Sequence, residues 1–196
     1  QNVPAIIQVF YPGQEGGTAI ADVLFGKVNP SGKLSVTIPK SVGQLPCYYS
    51  RKPSRMREYV GGETTSKPLY PFGFGLSYSR FEYKNLAVDK KQVSQAGAVN
   101  VSVQVTNTGK KAGEEVVQLY ISDKVSTATR PVKELKDFAR VSLQPGQTKT
   151  VKFTITPDKL EYYNLNLEKT IEAGEFEVLI GPNSEELKGI SFEVNN

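Results

Sequence analysis

Val99-Asn-Val-Ser-Val-Gln-Val-Thr106, running into Asn107-Thr108-Gly109, sets four valines at every second position with polar residues between them and ends on a turn signal. Successive side chains of a strand point to opposite faces, so this alternation predicts a strand with one face buried and the other wet. The same pattern recurs downstream in Val117, Leu119 and Ile121, then Val151, Phe153 and Ile155, then Phe176, Val178 and Ile180, and last Ile190, Phe192 and Val194. Turn residues separate all of them. Two further strands are expected over Phe81 to Val88 and Leu135 to Leu143, and no helix is expected among them.

About seven short strands with regular turn signals are the pattern of an immunoglobulin-like β-sandwich, assigned here to residues 81–196. The beginning of the chain has a different texture. Ala5, Ile6, Ile7, Val9 and Phe10 form a nearly continuous apolar run, as in a parallel strand buried on both faces. Pro12 and Gly13 break it. From Glu15 to Phe25 the apolar residues Ala19, Ile20, Val23 and Leu24 fall at helical spacing, with Gly26 placed to end the helix. After the turn Asn29-Pro-Ser-Gly32, Leu34, Val36 and Ile38 alternate as a second strand closed by Pro39. The unit is β-α-β over residues 1–39. One such unit cannot cover both faces of a parallel sheet, so the remaining strands are expected from residues outside this chain or from a partner molecule. Residues 40–80, rich in Pro, Tyr and Phe, form an ordered connector expected to pack over a neighbouring surface. The fold class is therefore mainly β, a sandwich preceded by a β-α-β remnant.

The 196 residues include 24 basic and 20 acidic ones spread along the chain, a mixed solvated surface and not a nucleic-acid footprint. No apolar run approaches the roughly 20 residues needed to cross a bilayer, so no membrane span is expected. The chain opens on Gln1 with no leader-like segment, so a signal cannot fix the compartment, and a piece of a longer polypeptide is the expectation. With no His and a single cysteine, Cys47, zinc sites built on Cys and His, Ser-His dyads and an internal disulfide are excluded. No cofactor or metal is expected. Acid or base chemistry at neutral pH would fall to carboxylates, Lys or Tyr.

Three segments could carry chemistry. Tyr11-Pro-Gly-Gln-Glu-Gly-Gly17 lies where a strand gives way to a helix, a position at which open α/β sheets bind ligands, but its glycines equally serve a tight turn. It lacks the Gly-Lys-Ser/Thr of a phosphate loop, and Glu15 complements the helix dipole better than it suits general-acid work. Ser31-Gly32-Lys33 mimics a phosphate-loop fragment yet leads into a strand, which favours a simple turn. Tyr48, Tyr49, Arg51, Lys52, Arg55, Arg57 and Tyr59 mix rings that stack on sugars with forks that bond hydroxyls, against the alternative of a solvated basic loop. Tyr162 and Tyr163 read as core or corner residues of the sandwich.

Tyr11-Pro-Gly-Gln-Glu-Gly-Gly-Thr-Ala-Ile-Ala-Asp-Val-Leu-Phe-Gly26 with Asn29-Pro-Ser-Gly-Lys-Leu34 resembles the end of the α/β-sandwich domain of family three glycoside hydrolases. Pro68-Leu-Tyr-Pro-Phe-Gly-Phe-Gly-Leu-Ser-Tyr78 resembles the same family's entry into a fibronectin type III-like domain. Glu114-Glu-Val-Val-Gln-Leu-Tyr120, Arg130-Pro-Val-Lys-Glu-Leu-Lys-Asp-Phe138 and Leu143-Gln-Pro-Gly-Gln147 are similar to that terminal domain. The resemblance implies retaining hydrolysis of β-linked glucosides or xylosides by two carboxyl groups. It also implies that neither is here: the nucleophile belongs to an N-terminal barrel, and the acid/base residue precedes the Pro-Gly-Gln-Glu segment, so Glu15 does not inherit the role.

By the same resemblance the partners are that barrel and the rest of the α/β-sandwich domain, and the compartment is periplasmic or extracellular. Tyr49, Lys52, Arg57 and Tyr59 are the candidate substrate-binding residues, on a loop bordering the cleft of an intact enzyme. The segment itself is expected to be non-catalytic, stabilising the enzyme or shaping the cleft rim. The competing expectation is a free-standing carbohydrate-binding or structural sandwich module, since sandwich folds do not fix function.

Overall fold

The computed structural model describes residues 3–53 and 67–196. Its centre is two packed sheets. One holds strands β1 (Phe81–Val88), β3 (Val99–Asn107) and β6 (Thr148–Ile155) in the order β1-β3-β6. The other holds β2 (Gln92–Ser94), β4 (Gly113–Asp123), β5 (Glu134–Leu143), β9 (Gly174–Gly181) and β10 (Lys188–Asn195) in the order β2-β10-β9-β4-β5. Pairing is antiparallel except for β2 with β10. A small hairpin of β7 (Tyr162–Tyr163) and β8 (Lys169–Thr170) completes the strands.

The alternation sets the core. Val99, Val101, Val103 and Val105 are at most 1% exposed, and β3 pairs them with Ile155, Phe153, Val151 and Lys149 of β6. From the facing sheet come Val117, Leu119 and Ile121, Phe176, Val178 and Ile180, and Phe192 and Val194. The rings of Phe176 and Phe192 lie opposite each other in register and stack at 5.8 Å. The β3–β4 turn is pinned by the buried Asn107, whose Nδ2 donates to the carbonyls of Lys111 and Leu143 while its Oδ1 accepts from the Gly109 amide. A short helix, α2 (Pro157–Leu160), stands where none is expected; its single core contact, Leu160, is too little periodicity to read.

Before the sandwich, helix α1 (Gly16–Leu24) forms where the apolar spacing places it, and Gly26 ends it in the left-handed region at φ 71°. The flanking strands differ from expectation. Ala5 to Phe10 form no strand, and Ile6 and Phe10 are 64% and 50% exposed. A strand needs a hydrogen-bonded neighbour, and none of the described residues supplies one to this run. Residues 34–38 pair instead with the connector: Leu34 and Phe74, then Ile38 and Tyr70, join through backbone bonds of 2.8 and 2.9 Å, leaving one antiparallel bridge.

Candidate functional site

Strand β4 is buried on both faces, which a half-buried strand is not, and the connector is what covers the outer one. Gln118 points outward; its Nε2 donates to the carbonyls of Gly73 at 3.1 Å and Pro182 at 2.6 Å, and its Oε1 accepts from the Tyr120 hydroxyl. Gly73 is obligatory there. Its φ is 78°, and a Cβ would sit 2.1 Å from Gln118 Oε1. Phe72 then stacks on Tyr49 at 4.3 Å, and Tyr49 meets Tyr120 edge-on at 5.7 Å.

Of the four candidate sugar-contacting residues, Tyr49 is therefore half-buried with one ring face already covered, and its hydroxyl accepts from the Leu135 amide at 3.3 Å. Lys52 is exposed. Arg57 and Tyr59 lie outside the described residues, as does Arg55. The Arg51 carbonyl accepts from the Val132 amide at 2.8 Å, which fixes this loop to the segment entering β5. Beside Tyr49 is a cleft of about 80 Å³, walled by residues that include Cys47, Tyr48, Arg51, Lys67, Lys133, Ser184 and Glu185. Small-molecule pockets start near roughly 300 Å³, so the cleft has room for a group of a few heavy atoms and not for a sugar ring.

The Asn29-to-Lys33 turn is absorbed in holding α1 and the sandwich together. Asn29 Nδ2 donates to the Ala112 carbonyl, and its Oδ1 accepts from Ser77 Oγ and the Tyr78 amide, each at 2.8 Å. Tyr78 donates its hydroxyl to the Val23 carbonyl at the end of α1, and Lys111 lies over the Tyr78 ring. Ser31 accepts from Arg140, which also pairs with Glu114 at 2.9 Å. Lys33, 12% exposed, pairs with Glu115, 4% exposed, at 3.2 Å, and Tyr83 donates its hydroxyl to the same carboxylate at 2.9 Å. Burial holds the Glu115 carboxyl above the usual range against the opposing pull of Lys33 and Tyr83. Burial first, then the Glu115 charge, pushes the Tyr83 phenol well above its ordinary value. No phosphate cradle exists here; the lysine of the apparent phosphate-loop fragment is spent on an internal ion pair.

A second buried cluster closes the far end of the sandwich. Arg130 donates to Asp123 and to the Leu160 carbonyl through Nη1 and to Glu134 through Nη2, with the Tyr162 ring 5.0 Å from its guanidinium. Burial raises the Asp123 carboxyl against the pull of Arg130. Tyr162 is thus a corner residue, whereas Tyr163 is exposed. Retaining glycosidases need two carboxyl groups about 5–5.5 Å apart across a substrate. Among the described residues, the buried carboxylates of Glu115 and Asp123 are each committed to a cation in a separate cluster. Sequence reasoning missed Lys133 and Ser184 as neighbours of the Tyr49 loop; they are distant in the chain, and only their place in the Arg130–Phe138 motif and the β9–β10 turn hinted at an ordered role.

Comparison with known proteins places this architecture. Residues 1–78 match the glycosyl hydrolase family 3 C-terminal domain, and residues 115–184 match the fibronectin type III-like domain. The periplasmic β-glucosidase of Salmonella typhimurium is 42% identical over 99% of this chain, and a β-xylosidase of Formosa agariphila is likewise 42% identical over 99%. The chain spans 26% and 27% of those two proteins. Among solved structures, a β-glucosidase from Erythrobacter marinus superposes with a TM-score of 0.94 at 45% identity, over 99% of this chain and 26% of that one. A Listeria innocua β-glucosidase in complex with glucose gives 0.88 at 38% identity, over 96% and 28%.

Proposed function

The chain carries part of the glycosyl hydrolase family 3 C-terminal domain joined to a fibronectin type III-like domain, and from that premise we propose that it is the C-terminal portion of a retaining β-glycosidase acting on terminal β-linked glucosides or xylosides. Residues 1–39 end the α/β-sandwich domain, 40–80 connect, and 81–196 form the sandwich. The nucleophile and the acid/base residue belong to polypeptide outside this chain, and this segment supports the enzyme and borders its cleft through Tyr49, Lys52, Arg57 and Tyr59. A periplasmic or secreted location accords with the Salmonella relative's name.

One observation carries the reading. The likeness covers nearly all of this chain but about a quarter of each relative, while the segment ahead of α1 leaves its apolar side chains in solvent. The test is hydrolysis of nitrophenyl β-glucoside and β-xyloside by this chain beside the product of its full-length gene. Activity in the longer product alone is expected, with the faster substrate naming the sugar. Turnover that tracks the purified chain overturns the non-catalytic role, and activity in neither favours a binding or structural module.

A further inference from the structure

The cleft beside Tyr49 is unusual in charge and in what it leaves unsatisfied. Its wall carries three cations, Arg51, Lys67 and Lys133, against one carboxylate, Glu185. Lys133 is partly answered: it pairs with Glu185 at 3.6 Å and donates to the Ser184 carbonyl. The side chains of Arg51 and Lys67 have no ion-pair partner among the described residues. Ser184, 1% exposed, is held through its amide by the Phe72 carbonyl at 3.0 Å, yet its hydroxyl is the buried side-chain oxygen left without a hydrogen-bond partner among the described residues. A buried hydroxyl normally finds a partner, and one without a partner still has a hydrogen bond to give. The Tyr49–Phe72 stack and the Arg51–Val132 backbone bond fix the backbone of this wall, so the ordering cost of a ligand is confined to the cationic side chains.

We propose that this cleft binds a small oxyanion, a phosphate or the carboxylate of a sugar acid, between Arg51, Lys67 and Lys133 with the Ser184 hydroxyl as a further donor. Arginine forks and lysine ammoniums are the side chains suited to such groups, and charge-assisted bonds are the strong ones. The cleft's size selects a compact anionic group and not a whole saccharide. This inference rests on the cleft and stands whether or not the chain serves a glycosidase.

The test titrates the full chain with inorganic phosphate and, separately, with glucuronate at constant ionic strength, followed by amide chemical shifts. Saturable binding with one site is expected, and the tighter anion names the source. The Arg51→Ala/Lys67→Ala variant, whose lost side chains pair with no described residue, should bind at least about tenfold more weakly, the worth of one charge-assisted bond. Ser184→Ala should also weaken binding while leaving the melting temperature equal or higher, since it removes an unsatisfied buried group. A purely structural serine would lower stability and leave affinity alone. Shifts that never saturate, or equal affinity in the double variant, overturn the proposal.

Discussion

Lys33 and Glu115 are 82 positions apart in the chain and meet in a nearly dry contact between the turn after α1 and the sandwich. Removing one member of a buried pair costs more than the pair contributes, because the survivor stays buried without its partner. Lys33→Met is therefore expected to cost about 3 kcal/mol at pH 7 by urea unfolding, and Lys33→Met/Glu115→Gln to recover most of it, since the amide oxygen still accepts from Tyr83. The pH dependence follows in sign. Burial raises the Glu115 carboxyl above its unfolded value, so the folded state binds this proton more tightly, and the associated stability is present below the unfolded pKa and lost as pH rises through the folded one. Lys33→Met removes one of the influences that lower this pKa, so its deficit should shrink as pH falls into the carboxylate range. A deficit independent of pH would show that lost packing of the lysine stem is responsible. None of this was legible in sequence: Ser31-Gly32-Lys33 could be dismissed as a phosphate loop from its neighbours, but nothing local to Lys33 names a carboxylate so far along the chain.

At the scale of elements, what could be read depended on whether one element's own pattern decides its fate. Val99 to Val105 alternate strictly, and the strand, its core face and its turn all follow from that. Strand β2 has one buried residue, Val93, and α2 has one, Leu160, too few to make a period. Ala5 to Phe10 have the composition of a buried strand, but pairing is a property of two segments and one sequence pattern cannot supply the neighbour. The double burial of β4 likewise belongs to the connector as much as to the strand. Gly73 is the hinge of that contact. Gly73→Ala would place a methyl against the Gln118 amide and a non-glycine residue in the left-handed region, together worth about 2 kcal/mol or more. Amide exchange checks it: the Leu34 amide, which donates to Phe74, should lose about thirtyfold protection. Unchanged protection at Leu34 would show that Gln118 does not hold the connector down.

At the scale of the whole molecule, apolar exposure is divided unevenly. Val3, Ile6, Ile7, Val9, Phe10 and Tyr11 are all exposed, whereas the inward faces of the sandwich strands form one continuous core of buried side chains that includes the valines from Val99 to Val105, Leu119, Phe176 and Phe192. The exposed run before α1 should then contribute little to the stability of this chain. A substitution that touches no packed atom changes folding free energy by within about 0.5 kcal/mol, while truncating a fully buried leucine costs about 2–5 kcal/mol through lost transfer energy and the cavity it leaves. Ile6→Ser/Phe10→Ser should accordingly leave the urea midpoint of this chain unmoved, and Leu119→Ala, at a position with 0% exposure, should lower it steeply. The same double substitution placed in the longer gene product separates two accounts of the exposed run. If these side chains are covered there by further strands, as the glycosidase reading requires, Ile6→Ser/Phe10→Ser now carries the cost of burying two hydroxyls in apolar surroundings and lowers both the midpoint and the activity. If the run is solvent-facing in every context, the double substitution is as silent in the long protein as in the short one, and the reading of residues 1–39 as the end of a larger α/β domain fails.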